Sequence, residues 1–501
     1  MIRNPDSLRA RLRSGLACAL LVLVAAAAAA QESAIAIVGA TVIDGNGGPP
    51  LRDATVVVEG QRITAVGPRT SIRVPAAARV IDGAGKFVTP GFIDTNVHVS
   101  LYSGIESLVR YQDRFTDLVI EHAQMHLKHG ITTIRDSYGM IGPLIEARDR
   151  MARGGVEGPR LMVAGNIVGW GGPWSFTWSG VKPSGLSLFQ EQMNDAITRG
   201  SGEELLGMSP DSLRVAINRY LDLGPDFIKF GGTGHYSNPV MIGFSERAQS
   251  ILVGETHARG RFAETHSTTE EGLRMSLLAG VDVVQHPEVL PRIISDELVS
   301  MFRDRGVVCS MLVNTITGKP WADWVKRRES EEKRRAEARQ DTTERIDREK
   351  TSAERRAEEP ERGTAIRREN AKRLVAGGCI TTIGTDNYLG AAPEFRRTPK
   401  AEHQDAGMGS VLAIEGLVEL GMTPAQAIVA ATRNGAMAAN LLETIGTVET
   451  GKRADLLMLD ADPLADIRNI RTIALILRDG RIVDFADLPA VPIFFRDRPR
   501  T

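Results

Sequence analysis

The chain has 501 residues, 42% of them hydrophobic and 25% charged, with a formal net charge of −1. That length is too great for one small core and fits a large unit joined to a smaller one. The near-neutral balance argues against a generally basic nucleic-acid binder, and no acidic excess points to a basic partner.

At the N-terminus, Arg3, Arg9, Arg11 and Arg13 precede an apolar run from Leu16 to Ala30, and Ala28-Ala29-Ala30 stands before Gln31. Residues 1–30 read as a secretory signal with a small-residue cleavage site. The run is short for a spanning helix, with an uncleaved anchor as the alternative. The expectation is an exported, periplasmic protein without a stable membrane anchor. Cys18 would leave with the signal. Cys309 and Cys379 remain in apolar strand-like segments and are expected as buried free thiols.

Residues 31–90 alternate short β-rich runs, such as Ile35–Val38 and Ala54–Val58, with turn signals at Asp44–Gly48 and Glu59-Gly60. From Gly91 to Leu441 strands alternate with helical stretches, which predicts parallel β/α units. Candidate strands are Gly91–His98, Thr132–Asp136, Arg160–Gly165, Asp226–Gly231, Arg261–His266, Val281–His286, Val307–Leu312 and Ile380–Asp386. Eight such strands suit a (β/α)8 TIM barrel, whose chemistry lies at the C-terminal strand ends. Within this span, residues 326–373 are dense in Arg, Lys, Glu and Asp, which predicts a long solvated helix or a helical pair. Thr423-Pro424-Ala425-Gln426 is a capping box with Pro at the first helical position. Residues 442–501 return to short strands. The fold class is therefore α/β, a barrel with a composite β-sandwich built from both chain ends.

His98, Asp136, Lys229, His266, His286 and Asp386 end six of the predicted strands. Imidazole and carboxylate suit Zn, Co, Mn or Fe. Asn96 and His98, two residues apart on one strand, should share a face. After the third strand, Trp170, Trp174, Phe176 and Trp178 lie among Gly, Pro and Ser. This loop suggests an aromatic substrate face, with packing on its own core as the alternative. His235 and Tyr236 follow Lys229 in a Gly-rich loop and are further substrate-binding candidates. His403 follows strand eight and has no assigned role. His122, His126 and His129 have the spacing of a helix face. Gly-x-Gly-x-x-Gly, Walker and Gly-x-Ser-x-Gly motifs are absent, which lowers the odds of an oxidoreductase, a nucleotide hydrolase or a serine esterase.

Gly91-Phe92-Ile93-Asp94, His98, Gly130–Asp136, Phe227-Ile228-Lys229, Thr265-His266, Gln285-His286, Gly384-Thr385-Asp386 and the closing Gly446–Asp455 together resemble the metal-dependent amidohydrolase superfamily. The likeness is to its imidazolonepropionase-like and prolidase-like branch. It implies one or two divalent metals, Zn foremost, with Lys229 carbamylated as a bridge. One metal site would use His98 and Asp386; the other would use His266 and His286. It further implies catalysis by Asp386 and His286, with Asp386 moving the proton while a metal-activated hydroxide attacks a carbonyl. The superfamily writes His-x-His where this chain has Asn96-Val97-His98. Asn96 is either a weak ligand or a hydrogen-bonding residue off the metal. An Asn-x-His start is similar to the subgroup of phenylurea and molinate hydrolases. Gln285 is a second departure, since many relatives place Glu there. The implied function is hydrolysis of an amide-like C–N bond in a small N-acyl, amide, urea or carbamate compound, aromatic compounds among them. A dipeptidase of prolidase type and a non-catalytic metal-binding protein remain as alternatives, and homo-oligomerisation stays open.

Overall fold

The computed structural model describes residues 34–101, 104–179, 185–235, 241–341 and 352–495. The predicted signal, residues 1–30, lies outside them, as does Tyr236. The described part is a mixed α/β protein containing one branched sheet from both chain ends and two parallel sheets between them.

The branched sheet has eight strands: β1 (Ile35–Val42), β2 (Leu51–Glu59), β3 (Arg62–Pro68), β4 (Arg79–Asp82), β5 (Phe87–Pro90) and, from the C-terminal end, β16 (Leu456–Leu459), β17 (Ile473–Arg478) and β18 (Arg481–Ile482). A composite β-sandwich from both chain ends was the expectation; hydrogen bonding joins the strands of both ends into one branched sheet. The reason lies in β1. Its register shifts between Val38 and Ala40, at Gly39 with φ +85°. Before that bulge β1 pairs with β4, and after it with β5. β5 then pairs antiparallel with β16, tying the two ends of the chain together. Ile37, Val56, Ile63, Val88, Leu456 and Leu477 form the core of this sheet.

β5 runs almost directly into β6 (Phe92–His98), the first parallel strand. β7 (Ile131–Asp136), β8 (Arg160–Val163) and β9 (Ile167–Val168) follow. Next come β10 (Ile228–Gly231), β11 (Ala263–His266), β12 (Val283–Gln285), β13 (Val308–Met311), β14 (Ile380–Ile383) and β15 (Asn387–Tyr388). One sheet has the order β15-β6-β7-β8, the other β14-β13-β12-β11-β10-β9. Each predicted strand is present, most with shorter bounds, though β7 begins one residue earlier than expected. The third is split into β8 and β9, and the eighth into β14 and β15, so each split strand lends a half to both sheets. Backbone bonds cross both seams: Asp226 N–H to Val163 O at 2.7 Å, and Asp386 N–H to Asn96 O at 2.8 Å. Every residue of β6, β7, β10 and β11 is buried, as expected of parallel strands covered on both faces.

Side chains of the two sheets meet in the interior. Thr95 Oγ1 and Ser310 Oγ are 2.8 Å apart. Gln285 Nε2 donates to Thr95 O at 3.1 Å, and Arg135 Nη1 lies 2.8 Å from Glu264 Oε2. Helices cover the outside. Helix Phe115–Lys128 places Val119, Ala123 and Leu127, spaced by four, in the same core as Phe92 and Ile131. Each large apolar side chain buried this way contributes about 1.5–3 kcal/mol. The same helix carries His122 and His126, both buried, with His129 just past its end. This is the helix-face placement that their spacing predicts.

The charged stretch belongs to two helices, Gly318–Asp341 and Ser352–Ala376. The predicted capping box is present: Thr423 Oγ1 accepts the Gln426 N–H at 3.2 Å, and Gln426 Oε1 accepts the Thr423 N–H at 2.8 Å. Cys309 and Cys379 are not free thiols. They form a disulfide across 70 residues. The register of β13 and β14 pairs Cys309 with Thr381, which brings Cys379 two residues away on the neighbouring strand.

Candidate metal centre and active site

His98 is the last residue of β6, and Asp386 lies between β14 and β15. His98 Nε2 is 2.7 Å from Asp386 Oδ1, and Asn96 Nδ2 donates to the same oxygen at 3.2 Å. Asn96 and His98 therefore do share a face. Burial alone would raise the Asp386 pKa. The His98 hydrogen bond and the nearby His98, His286 and Lys229 charges outweigh it and hold the carboxyl well below the usual range. Its side chain keeps 36% exposure, so the ionised carboxylate is accessible from the strand ends.

His266 ends β11, and His286 directly follows β12. His266 Nδ1 and His286 Nε2 are 3.1 Å apart, with the rings edge to face. Burial pushes both pKa values down, His286 to about 3; the His286 charge further lowers His266, and the Lys229 charge lowers both. Both rings are thus neutral near pH 7. Two neutral rings can satisfy this contact by one hydrogen bond or by pointing both lone pairs at one cation.

Lys229, buried on β10, is electrostatically coupled to both halves. Burial lowers its pKa, opposed by Asp386, Glu264 and Asp136. Among the described residues no group of three His, Cys, Asp or Glu side chains forms a ready-made metal cluster. The donors are two pairs, with Lys229 between them in charge terms. An ammonium is no ligand, so each pair lacks its third member unless Lys229 is modified. The donor types themselves fit a divalent ion: two neutral imidazoles with facing nitrogens, an ionised carboxylate, and the buried, unpartnered Asn96 Oδ1.

Both His286 (φ 40°) and Asp386 (φ 52°) occupy the left-handed backbone region. For such residues this costs roughly 1–3 kcal/mol, so surrounding bonds must hold them. Asp94 does this for the Asp386 loop. Its Oδ1 accepts the Thr385 N–H at 3.2 Å, and its Oδ2 accepts the hydroxyls of Thr385 and Ser410, each at 2.7 Å. Beneath the site, Glu264 accepts from Ser137 Oγ and Gln285 Nε2, each at 2.9 Å, and pairs with Arg135. Arg135 also lies 3.9 Å above the Phe227 ring. Gln285 is explained by this network: an amide can donate to Glu264, whereas a second carboxylate would repel it. Asp136, a predicted strand-end residue, is buried and accepts the backbone N–H groups of Val99 and Tyr138.

The aromatic loop reaches the centre. Trp178 stacks between His235 and Tyr138, with centroids 4.6 Å away on each side. Trp170 packs edge-on to His266 at 4.7 Å and donates its indole N–H to Thr233 O at 3.0 Å. Trp174 is not in this stack; its backbone bonds to Asn194, and its ring packs into the loop's own apolar cluster. His403 lines a separate cavity of about 630 Å³ with Thr317, Leu412 and Ile467. Sequence reading gave no role to Tyr138, Glu264, Arg135 or the carboxyl of Asp94. A lone acid inside the apolar run Phe92-Ile93-Asp94 was the available signal for the last.

The model of the amidohydrolase family matches residues 87–483. The chain belongs to the amidohydrolase family. Molinate hydrolase is 30% identical in its solved structure, with a TM-score of 0.81 over 94% of this chain and 98% of that one. Phenylurea hydrolase B is 29% identical, with a TM-score of 0.80 over 93% of this chain and 100% of its own. An imidazolonepropionase of Geobacillus sp. (strain WCH70) is 32% identical over 91 residues, 18% of this chain and 19% of that protein. The curated matches are therefore local, while the structural matches run the full length. The family and these neighbours support a hydrolase acting on C–N bonds, and the family is generally divalent-metal dependent.

Proposed function

We propose that the chain is a metal-dependent hydrolase that cleaves an amide-like C–N bond in a small N-acyl, amide, urea or carbamate compound with an aromatic group. The observation that carries this reading is the ionised Asp386 on His98, set among the strand ends with the paired nitrogens of His266 and His286. The interior contacts and bridged seams support a closed (β/α)8 barrel, in which these residues share one rim. His98 and Asp386 would hold one ion, His266 and His286 another, and Lys229, as a carbamate, would supply the missing oxygen ligands to both pairs. When bound, a divalent ion, with Zn first in the donor chemistry, supplies water activation and Lewis-acid polarisation of a carbonyl.

The chain's own residues supply the rest. Asp386 accepts the proton of the attacking water and returns it to the leaving nitrogen. His98 and Asn96 fix the carboxylate's position, and Asp94 fixes the loop that bears it. Trp178, Tyr138 and His235 form a stack with Trp170 edge-on to it, and together they offer an aromatic wall for an aromatic group. The Cys309–Cys379 disulfide supports the reading of an exported protein, since such bonds persist in oxidising compartments. No described helix is long and apolar enough to cross a membrane.

The test is amine release by the purified, metal-loaded protein across anilides, phenylureas, carbamates and X-Pro dipeptides. Release from aryl compounds is expected. Release from dipeptides alone would move the activity to a peptidase, and silence with metal bound would favour a non-catalytic metal-binding protein.

A further inference from the structure

Three arginines on the charged helix Ser352–Ala376 face the loops beyond the parallel strands, and they differ in what they touch. Arg368 donates to Ile316 O at 2.6 Å, lies 3.6 Å from Glu419 and stacks 4.5 Å above Trp321. Arg373 pairs with Asp296 at 2.5 Å. These two fasten the helix. Arg367 makes one hydrogen bond, from Nη2 to Thr315 Oγ1 at 2.7 Å. Among the described residues it has no carboxylate within ion-pair distance, and its Nε is buried without a partner. A guanidinium carries five N–H donors, so most of this one's capacity is unused.

Its position is at the site. Thr315 lies just past β13, in the loop of the seventh strand. Glu288, two residues beyond His286, accepts the Leu312 N–H at 2.9 Å and so joins the sixth-strand loop to the same corner. Arg367 is electrostatically felt by His286, Glu288 and Asp386 alike. Burial pulls its pKa down, with Glu288 and Asp386 opposing, as expected for a partly desolvated cation short of a counter-ion. A half-buried, unpaired guanidinium beside a reacting centre is poor structural glue and a good receptor for a planar anion.

We propose that Arg367 is a specificity-determining residue that binds a carboxylate of the substrate, so that the preferred compounds are aromatic N-acyl or N-carbamoyl derivatives of amino acids. This rests on the C–N hydrolase reading above. The aryl group would lie against the aromatic wall that Trp178 forms with Tyr138 and His235, and the carboxylate on Arg367, placing the scissile bond between them.

The experiment compares N-benzoyl amino acids with their neutral methylamides, using the full metal-loaded protein and its Arg367→Met and Arg367→Lys variants. Turnover is measured alongside equilibrium binding of N-benzoyl amino acids, read by tryptophan fluorescence. The expected result is a wild-type preference for the carboxylate of at least tenfold in kcat/KM. In Arg367→Met that preference should vanish, mainly through KM, and binding should weaken at least tenfold; Arg367→Lys should recover part of both. Metal content and melting temperature should stay unchanged. Equal losses on both substrate types, or wild-type binding that ignores the carboxylate, would overturn the proposal. Carboxylate-dependent binding that needs Arg367, without any turnover, would support this assignment and sink the hydrolase reading instead.

Discussion

The two halves of the centre solve different problems. The His98–Asp386 half is anchored on a carboxylate: the His98 imidazole and the Asn96 amide both meet Asp386 Oδ1 within 3.2 Å, while Asn96 Oδ1 stays buried without a partner. The His266–His286 half is not. Its two neutral rings face each other 3.1 Å apart and leave His266 Nε2 and His286 Nδ1 buried without partners. In the proposed mechanism the first half serves proton transfer. The second gains most from an ion. Replacing the family's first histidine by Asn96 moves the first half further toward proton chemistry, because Asn96 spends its amide on Asp386.

The sharpest way to break this comparison is Asp386→Asn. Turnover is expected to fall roughly 10²–10⁴-fold, the range for loss of a positioned acid–base group, while elemental analysis still finds metal at the imidazole half. Retained turnover would remove Asp386 from the mechanism. His286→Ala should do the reverse and empty the imidazole half of metal. Full metal content in that variant would show that these rings are not ligands.

Gln285→Glu would set a second carboxylate against Glu264. Its folded-state pKa should rise above the unfolded value. The loss of stability should therefore be small below about pH 4 and grow as pH rises through the raised pKa, reaching roughly 1–3 kcal/mol. Thermal melts from pH 4 to 8 measure it, and a pH-independent difference from wild type would refute the network. In the metal-free wild type the pH dependence should have two parts, and because burial lowers the His98 pKa as well, the upper part draws on both halves. His286 keeps its proton off down to about pH 3 when folded, against 6.5 ordinarily. Stability is then lost as pH falls below about 6.5, because the unfolded chain takes up the proton first. The depressed Asp386 costs stability only below about pH 4. Added metal should flatten the upper part of that curve. The smallest expected effect is that of Asn96→His. It should raise metal occupancy of the first half and change turnover by less than about tenfold; unchanged occupancy would mean that position 96 does not face the ion.

Much of this was legible because parallel strands put polar residues where apolar runs stop. His98, Lys229, His266, His286 and Asp386 were visible for that reason. Other residues were hidden for physical reasons. Arg367 lies in a segment dense in Arg, Lys, Glu and Asp, so no local pattern separates the helix-fastening Arg368 and Arg373 from it. The disulfide needed the register of β13 and β14, which periodicity does not supply across 70 residues. Trp170, Trp174 and Trp178 share one spacing in sequence, which does not show that the backbone of Trp174 alone bonds to Asn194. The strand-rich ends were legible; the bulge at Gly39, which lets one strand serve two neighbours in a branched sheet, was not.

The Cys309–Cys379 bond encloses both charged helices in a covalent ring. A trypsin cut between those helices would therefore be invisible on a non-reducing gel. The same sample under reductant would fall into two fragments, the smaller carrying Arg367 and Asp386 and the larger carrying His98, Lys229, His266 and His286. Enzyme cut this way can keep every one of these residues in one molecule, so purity judged without reductant says nothing about whether its chain is whole.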